Sequence, residues 1–329
     1  MNTAQSTKSD NSEPEKVDAQ APSKNYVALW LKQLRWKQWP KNLICFAPLL
    51  FSGKFVEPQA FAAAVVCFVA FCMLSSGIYV LNDIMDVEAD RLHPIKKNRP
   101  IASGKLNIRV ALGVGICSLL GGFAAAFWLR HTLVFICLGY VVLNVAYSLK
   151  LKHVAIIDIL CISSGFVFRA IAGAVAINVM PSSWFLLCTT LGALFLAMEK
   201  RRQEIIVLSH ESSSHRKALT DYSLPLISRF ESLVVPSLLT SYAFYTSNSP
   251  HGQYMMITIP VVLYGLMRYQ QISQSGTSTG TPEEVLFKDR PIQLTILLWV
   301  IICAVVVLFH PRDLVANFSH MFDEMRTYP

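Results

Sequence analysis

Apolar residues gather in long blocks separated by short polar stretches. Crossing about 30 Å of hydrocarbon as a helix takes roughly 20 mostly apolar residues. Blocks of that kind fall at 40–53, 60–84, 108–129, 132–149, 155–178, 183–199, 231–247, 253–272 and 293–310. The pattern predicts an all-α polytopic membrane protein with nine transmembrane helices. The first block is short unless it borrows the amphipathic lead-in WLKQLRWKQWP, and the seventh is tinged with polar residues.

Composition points the same way. The chain has 329 residues, 53% hydrophobic and 15% charged, with a mean hydropathy of +0.43; soluble domains are nearer one quarter charged. Its net charge of +8 would suit nucleic acid, but basic loops on the inner face of a membrane supply such an excess, and no nucleic-acid partner is expected. Cys45, Cys67, Cys72, Cys117, Cys137, Cys161, Cys188 and Cys303 all lie in apolar blocks with no CxxC pair. They read as small buried hydrophobes rather than as disulfides or zinc ligands.

Residues 1–24 are polar and short of large apolar side chains, so a disordered cytoplasmic tail is expected there. No short apolar core with a cleavage site follows it, so no secretory signal is expected. A membrane domain is expected over 25–312 and an extracytoplasmic tail over 313–329. Placing the N-terminus inside puts all but Lys54, Arg130, Arg169, Arg312 and Arg326 of the 29 Lys and Arg on the inner side. The positive-inside rule therefore predicts a cytoplasmic N-terminus, an outward C-terminus and a cytoplasmic-facing site in the inner membrane.

The second block ends in NDIMDVEADRLHPIKKNRP. At 100° per residue, Asp83, Asp86 and Asp90 fall within about 60° of arc if the helix continues through them, and Asn82 flanks the stripe. His93-Pro94 then disfavours further helix. Three anions on one stripe repel one another unless a hard cation joins them; Mg²⁺ takes oxygen ligands and shares them with substrate phosphate. Arg91, Lys96, Lys97 and Arg99 follow at once, and carboxylates, metal and cations together describe a diphosphate site. The alternative is a solvated helix end whose acids and bases pair across the loop.

Two more polar clusters fall on the same face. YSLKLKH carries Tyr147, Lys150, Lys152 and His153, and EKRRQE carries Glu199, Lys200, Arg201, Arg202 and Glu204. Each alone is also an ordinary basic membrane flank. Asp158 and Arg169 lie within the fifth block, eleven residues apart and so on nearly one helix face. Charge at membrane depth lines a cavity or finds a partner. Asp158 is close enough to the inner end to reach the site directly.

NDIMDVEAD with DRLHPIKKNRPIASG resembles the first Asp-rich motif of the UbiA superfamily of intramembrane prenyltransferases. That resemblance implies nine helices around a central cavity open to the cytoplasmic face. Prenyl-diphosphate enzymes of the superfamily usually carry a second acidic motif after the sixth span, where this chain has EKRRQE. From about Leu34 to the ninth span, KQWPKN, YSLKLKHVAIID, SSGFVFRAIAGAVA, WFLL, KRRQE and RKALTDYS are similar to the branch that joins phosphoribosyl pyrophosphate to a polyprenyl phosphate. The resemblance implies Mg²⁺ on Asp83 and Asp86, helped by Asn82 and Asp90, with Lys96 and Arg99 beside the reacting pyrophosphate. It implies donor binding by Lys41, Asn42, Lys96, Arg99, Tyr147 and Lys152. Arg91, Asp158 and Arg169 complete the candidate substrate-binding set, and Lys200, Arg201 and Glu204 are expected to border the ribose 5-phosphate or the acceptor phosphate. The acceptor tail and membrane lipids would meet in a groove between helices, and the product would serve envelope polysaccharide synthesis. Self-association into a homo-oligomer stays open. An aromatic prenyltransferase using a polyprenyl diphosphate, and a transporter built on Asp158 and Arg169, are the competing readings.

Overall fold

The first apolar block does not become a regular span. In the computed structural model, which describes residues 25–94, 96–209, 221–249, 252–274, 285 and 288–309, helix α1 (Asn25–Gln33) is followed by a 3₁₀ segment over Trp36–Phe46 and a short α2 (Ala47–Phe51). Runs of 3₁₀ helix this long are uncommon. Pro40 lacks an N–H, Pro48 opens α2, and Arg35 turns the chain with a left-handed backbone (φ 53°, ψ 46°). The block is thus broken by its own prolines.

The other elements are α3 (Pro58–Met85), α4 (Val87–Leu92), α5 (Ile108–Leu129), α6 (His131–Leu149), α7 (Ile157–Ala176), α8 (Ser183–Ser209), α9 (Leu224–Ser247), α10 (Ile259–Gln274) and α11 (Arg290–Phe309). Of these, α3, α5, α6, α7 and α11 follow their apolar blocks, α8 runs on through the polar EKRRQE, and α4 lies beyond the second block. Among the described residues, six helices are long and apolar enough to cross a membrane: α3, α5, α6, α7, α8 and α11. The seventh expected block lies within α9, which starts earlier than the apolar run and contains Glu231 and Pro236. The eighth is split into a 3₁₀ turn over Gly252–Thr258 and α10. The expected tails, 1–24 and 313–329, and most of RKALTDYS lie outside the described residues.

Consecutive helices from α5 to α9 pack against one another, α3 lies along α5, and α10 pairs with α11. The α3–α5 contact is backbone-close: a Cβ on Gly77 would stand 2.9 Å from the Gly115 carbonyl oxygen. Small residues permit that approach where lipid supplies no hydrophobic drive between helices. Phe71, Leu74, Ile78, Leu133, Tyr140 and Ala172 form the largest buried cluster, joining α3, α6 and α7. On the other side, Phe195, Tyr269, Val285 and Ile292 tie α8 to α10 and α11. Cys117 departs from the expectation of buried cysteines, for it is exposed on α5, a helix whose outer face is studded with exposed Leu112, Ile116 and Leu120.

Helix length sets the position of the carboxylates. The 28 residues of α3 span about 42 Å at 1.5 Å each, more than a hydrocarbon core of about 30 Å. Its last turn therefore reaches past the apolar zone, and that turn carries Asn82 and Asp83.

Candidate active site

A cavity of about 1640 Å³ opens among the 3₁₀ segment, α3, α4, α6, α7, α8, α10 and α11. Its mouth is polar and its depth apolar. Asn82, Asp83, Asp86 and Asp90 line one wall of the mouth, with Arg35, Lys41, Lys96, Arg99, Lys152 and Lys200 around it. Tyr147, His93 and His153 complete the polar lining. Farther in, the walls are Leu43, Phe166, Leu196, Leu266, Ile296 and their apolar neighbours.

The Asp-rich stripe forms, with a break. The helix stops at Met85, Asp86 occupies the joint (φ −90°, ψ 6°), and α4 resumes at Val87. Asp83 and Asp90 are buried, whereas the Asp86 side chain is 46% exposed. Arg99 Nη1 donates to Asp83 Oδ1 at 2.9 Å and to Asp90 Oδ2 at 2.6 Å. Arg35 Nη2 donates to the same Asp83 oxygen at 2.5 Å, and Gln33 Nε2 donates to Asp83 Oδ2 at 2.9 Å. Asp86 faces Lys152, whose Nζ lies 3.9 Å from Oδ2. Repulsion along the stripe is therefore relieved by arginines and a lysine.

Among the described residues, no three His, Cys, Asp or Glu side chains gather into a ready metal site. The donor chemistry nevertheless fits a hard divalent cation. Three carboxylates and an amide oxygen share one cavity wall, and the Asp86 carboxylate is turned into the open space. Such ions bind through one or two carboxylates and take their remaining oxygens from water and phosphate.

Several residues expected to bind substrate have internal partners. Asp158 is fully buried; it accepts from Tyr222 Oη at 2.7 Å and sits 2.8 Å from Arg201 Nε, an ion pair off the hydrogen-bond direction. Arg201 is itself buried, donates to Glu204, and reaches Tyr147 Oη at 3.3 Å. Asp158, Arg201 and Glu204 are absent from the cavity wall, because α8 turns Arg201 toward α7 and presents Lys200 to the cavity instead. Asn42 is likewise buried behind the wall, where it accepts from Arg169 Nε at 2.6 Å and donates to Cys72 Sγ at 3.2 Å. Arg91 pairs with Glu88 at 2.8 Å on the outer face of α4, away from the cavity. Arg169 does line the cavity, deep inside; it donates to Gly165 O and Tyr140 Oη, each at 2.8 Å, and lies 4.7 Å from the Tyr140 ring centre.

Sequence reasoning passed over Arg35, Gln33 and Tyr222. The first two lay in a stretch read as a lead-in to the first span, and their only signal was a basic, Trp-rich run. Tyr222 accepts the Ile156 N–H at 2.7 Å, and Ile156 holds a left-handed φ of 69° that a β-branched residue resists. Burial pushes the Tyr222 phenol up, so it stays protonated as the donor to Asp158. That clamp holds the start of α7, just after the turn Leu151–His153 that carries Lys152 and His153.

These features define a polytopic helical membrane protein with a charged cavity at one end of its bundle. The UbiA prenyltransferase family matches residues 43–282, and the chain belongs to that family; it is an integral membrane protein. Among its relatives, the decaprenyl-phosphate phosphoribosyltransferase of Mycolicibacterium smegmatis is 33% identical over 294 residues, covering 85% of this chain and 92% of the relative. The enzyme of the same name from Corynebacterium glutamicum is 33% identical over 299 residues, covering 88% and 90%. The fold is shared with a UbiA homolog from Archaeoglobus fulgidus bound to GPP and Mg²⁺, at a TM-score of 0.65 and 16% identity over 85% of this chain and 99% of that one.

Proposed function

We propose that the chain transfers 5-phosphoribose from phosphoribosyl pyrophosphate to a polyprenyl phosphate, releasing pyrophosphate. The observation that carries this reading is the pairing of one acidic wall with a surrounding set of cations at the mouth of a cavity whose depth is apolar. A pyrophosphate, a sugar 5-phosphate and a lipid phosphate must all be held there. Charge-assisted hydrogen bonds from Lys and Arg suit them. Of EKRRQE, Lys200 reaches the cavity while its carboxylates do not, so this wall presents a cation rather than a second metal-binding acid. The enzymes named decaprenyl-phosphate phosphoribosyltransferase, similar to this chain over most of its length, support the same reaction.

Asp86 and Asp83, with Asn82 and Asp90 beside them, would hold Mg²⁺, which when bound neutralises charge on pyrophosphate. Lys96 and Arg99 would stabilise the departing pyrophosphate where its charge develops, commonly the largest contribution to catalysis. An oxygen of the lipid phosphate attacks C1 of the ribose as the C1–pyrophosphate bond breaks. That nucleophile is already ionised, so no side chain has to remove a proton. Lys41, Lys152, Lys200 and Tyr147 would orient the donor and the phosphates, and Arg169 lies deep enough to meet the acceptor. The polyprenyl tail would run among the apolar residues of α8, α10 and α11 toward lipid.

The mouth would face the cytoplasm, where a soluble phosphorylated donor is available, with the N-terminus on that side. Purified protein should convert labelled phosphoribosyl pyrophosphate and decaprenyl phosphate, with Mg²⁺, into a lipid-extractable labelled product. Labelling of an aromatic acceptor from a polyprenyl diphosphate, with none from phosphoribosyl pyrophosphate, would overturn the proposal.

A further inference from the structure

The buried part of the Asp-rich wall balances its charge before any ligand arrives, and the exposed Asp86 already faces Lys152 at 3.9 Å. Asp83 and Asp90 carry two negative charges, and Arg35 and Arg99 supply two positive ones in direct contact with them. Asp83 is 4% exposed, while the two arginine side chains are 29% and 28% exposed and line the cavity. The acid is thus beneath and the cations above it, nearer the space a ligand would enter.

The two arginines are not equivalent. Arg99 bridges Asp83 and Asp90, so releasing it would take the cation from buried Asp90, while Asp83 would keep Arg35 and Gln33. Releasing Arg35 would leave Asp83 with Arg99 and Gln33. The Arg35 guanidinium carbon lies 4.6 Å from the centre of the Tyr79 ring, which also lines the cavity and offers an aromatic face for the cation. Its backbone holds a left-handed conformation (φ 53°) that costs a non-glycine residue free energy and tends to persist at functional positions.

A divalent cation entering this wall alone adds two positive charges to a balanced cluster. It must displace or repel Arg35. A diphosphate entering with the cation reverses that penalty, because its oxygens accept the guanidinium that the carboxylate gives up. We propose that Arg35 is a diphosphate-binding residue, held as the counter-ion of Asp83 while the site is empty and transferred to a phosphate oxygen when metal and diphosphate bind together. The inference rests on the Mg²⁺–pyrophosphate site proposed above. It makes metal and diphosphate binding synergistic, and it gives one side chain opposite effects on the two ligands.

Calorimetric titration of the full-length, detergent-purified protein tests this without turnover. The probes are Mg²⁺ alone, inorganic pyrophosphate alone, the two together, and phosphoribosyl pyrophosphate as competitor. In the wild type, pyrophosphate should tighten Mg²⁺ binding at least about tenfold, the scale of one or more charge-assisted contacts. Arg35→Gln should bind Mg²⁺ alone more tightly and Mg²⁺ with pyrophosphate about tenfold more weakly. Arg35→Lys, which keeps the charge, should recover much of the pyrophosphate binding. Independent binding of the two probes by the wild type would overturn the inference even if Arg35→Gln did not fold, and so would a loss of both affinities in that variant. Synergy and opposed shifts with pyrophosphate, but no competition by phosphoribosyl pyrophosphate, would support the role of Arg35 while removing the proposed donor.

Discussion

Two clusters of arginine and carboxylate sit toward the same end of the bundle and are built from the same parts. In the first, Asp83 and Asp90 meet Arg35 and Arg99. In the second, Arg202 joins Glu231 at 2.5 Å and Glu199 at 3.5 Å, while Ser273 donates to Glu199 and Gln203 Nε2 donates to Ser273 Oγ at 3.0 Å. The second cluster is buried on every side and staples α8 to α9 and α10. The first has its cations on a cavity wall. Ion pairs sealed between helices hold a fold together, whereas the same pairs beside open space can exchange partners with a ligand. Burial of the cation, not the presence of the pair, separates the two roles.

Arg202→Ala should have the largest effect. It leaves Glu199 and Glu231 buried without their cation, and removing one partner of a buried pair costs about 3–5 kcal/mol. Thermal unfolding in detergent should fall steeply while turnover per folded molecule persists; an unchanged melting curve with lost turnover would move this cluster into the active site. Asp86→Asn should do the reverse. Its carboxylate is half exposed, so the melting curve should hold while turnover falls by about 10²–10³, the scale of losing one preorganised electrostatic contact.

Gly173→Ala tests the scaffold that both clusters share. A Cβ there would stand 2.1 Å from the Cys45 carbonyl oxygen, so the Trp36–Phe46 segment must move off α7 and disturb the Asn42–Arg169 contact. A loss of about 1–3 kcal/mol in stability is expected from overpacking, read in the same melting experiment. Lys200→Gln removes one cation of the cavity rim and should raise KM for phosphoribosyl pyrophosphate about tenfold.

The smallest effect belongs to an ion pair in neither class. Asp289 accepts from Arg268 Nη2 at 2.8 Å, and that hydrogen bond holds its carboxyl below the usual carboxylate range. A depressed acid contributes stability that is present above its unfolded pKa and is lost as pH falls through the folded value. Asp289→Asn should therefore cost well under about 1 kcal/mol near neutrality and nothing in strong acid. Melting curves at pH 7 and pH 3 should show the difference shrinking.

Much of the architecture is legible in the apolar blocks, because burying a helix in lipid demands a long uninterrupted run. The site is legible only in part, because the code for a charged side chain does not say which way it turns. Asp83, Asp86, Asp90, Lys96, Arg99, Tyr147, Lys152 and Lys200 were readable as a shared mouth, and all line the cavity. Asp158, Arg201 and Glu204 carried the same signal, yet they fold into a contact among α7, α8 and Tyr222.

By itself, the sequence determined a helical membrane protein with an acidic stripe at the end of its second long apolar run, since length and hydropathy govern partition into lipid and helix period governs the stripe. Tertiary structure decided which charges meet each other and which meet the cavity. It brought Arg35 onto Asp83 across 48 positions of chain and turned Arg201 inward beside an outward Lys200. Those outcomes depend on distances between helices far apart in sequence, and Coulomb energy at such short range changes steeply with each ångström.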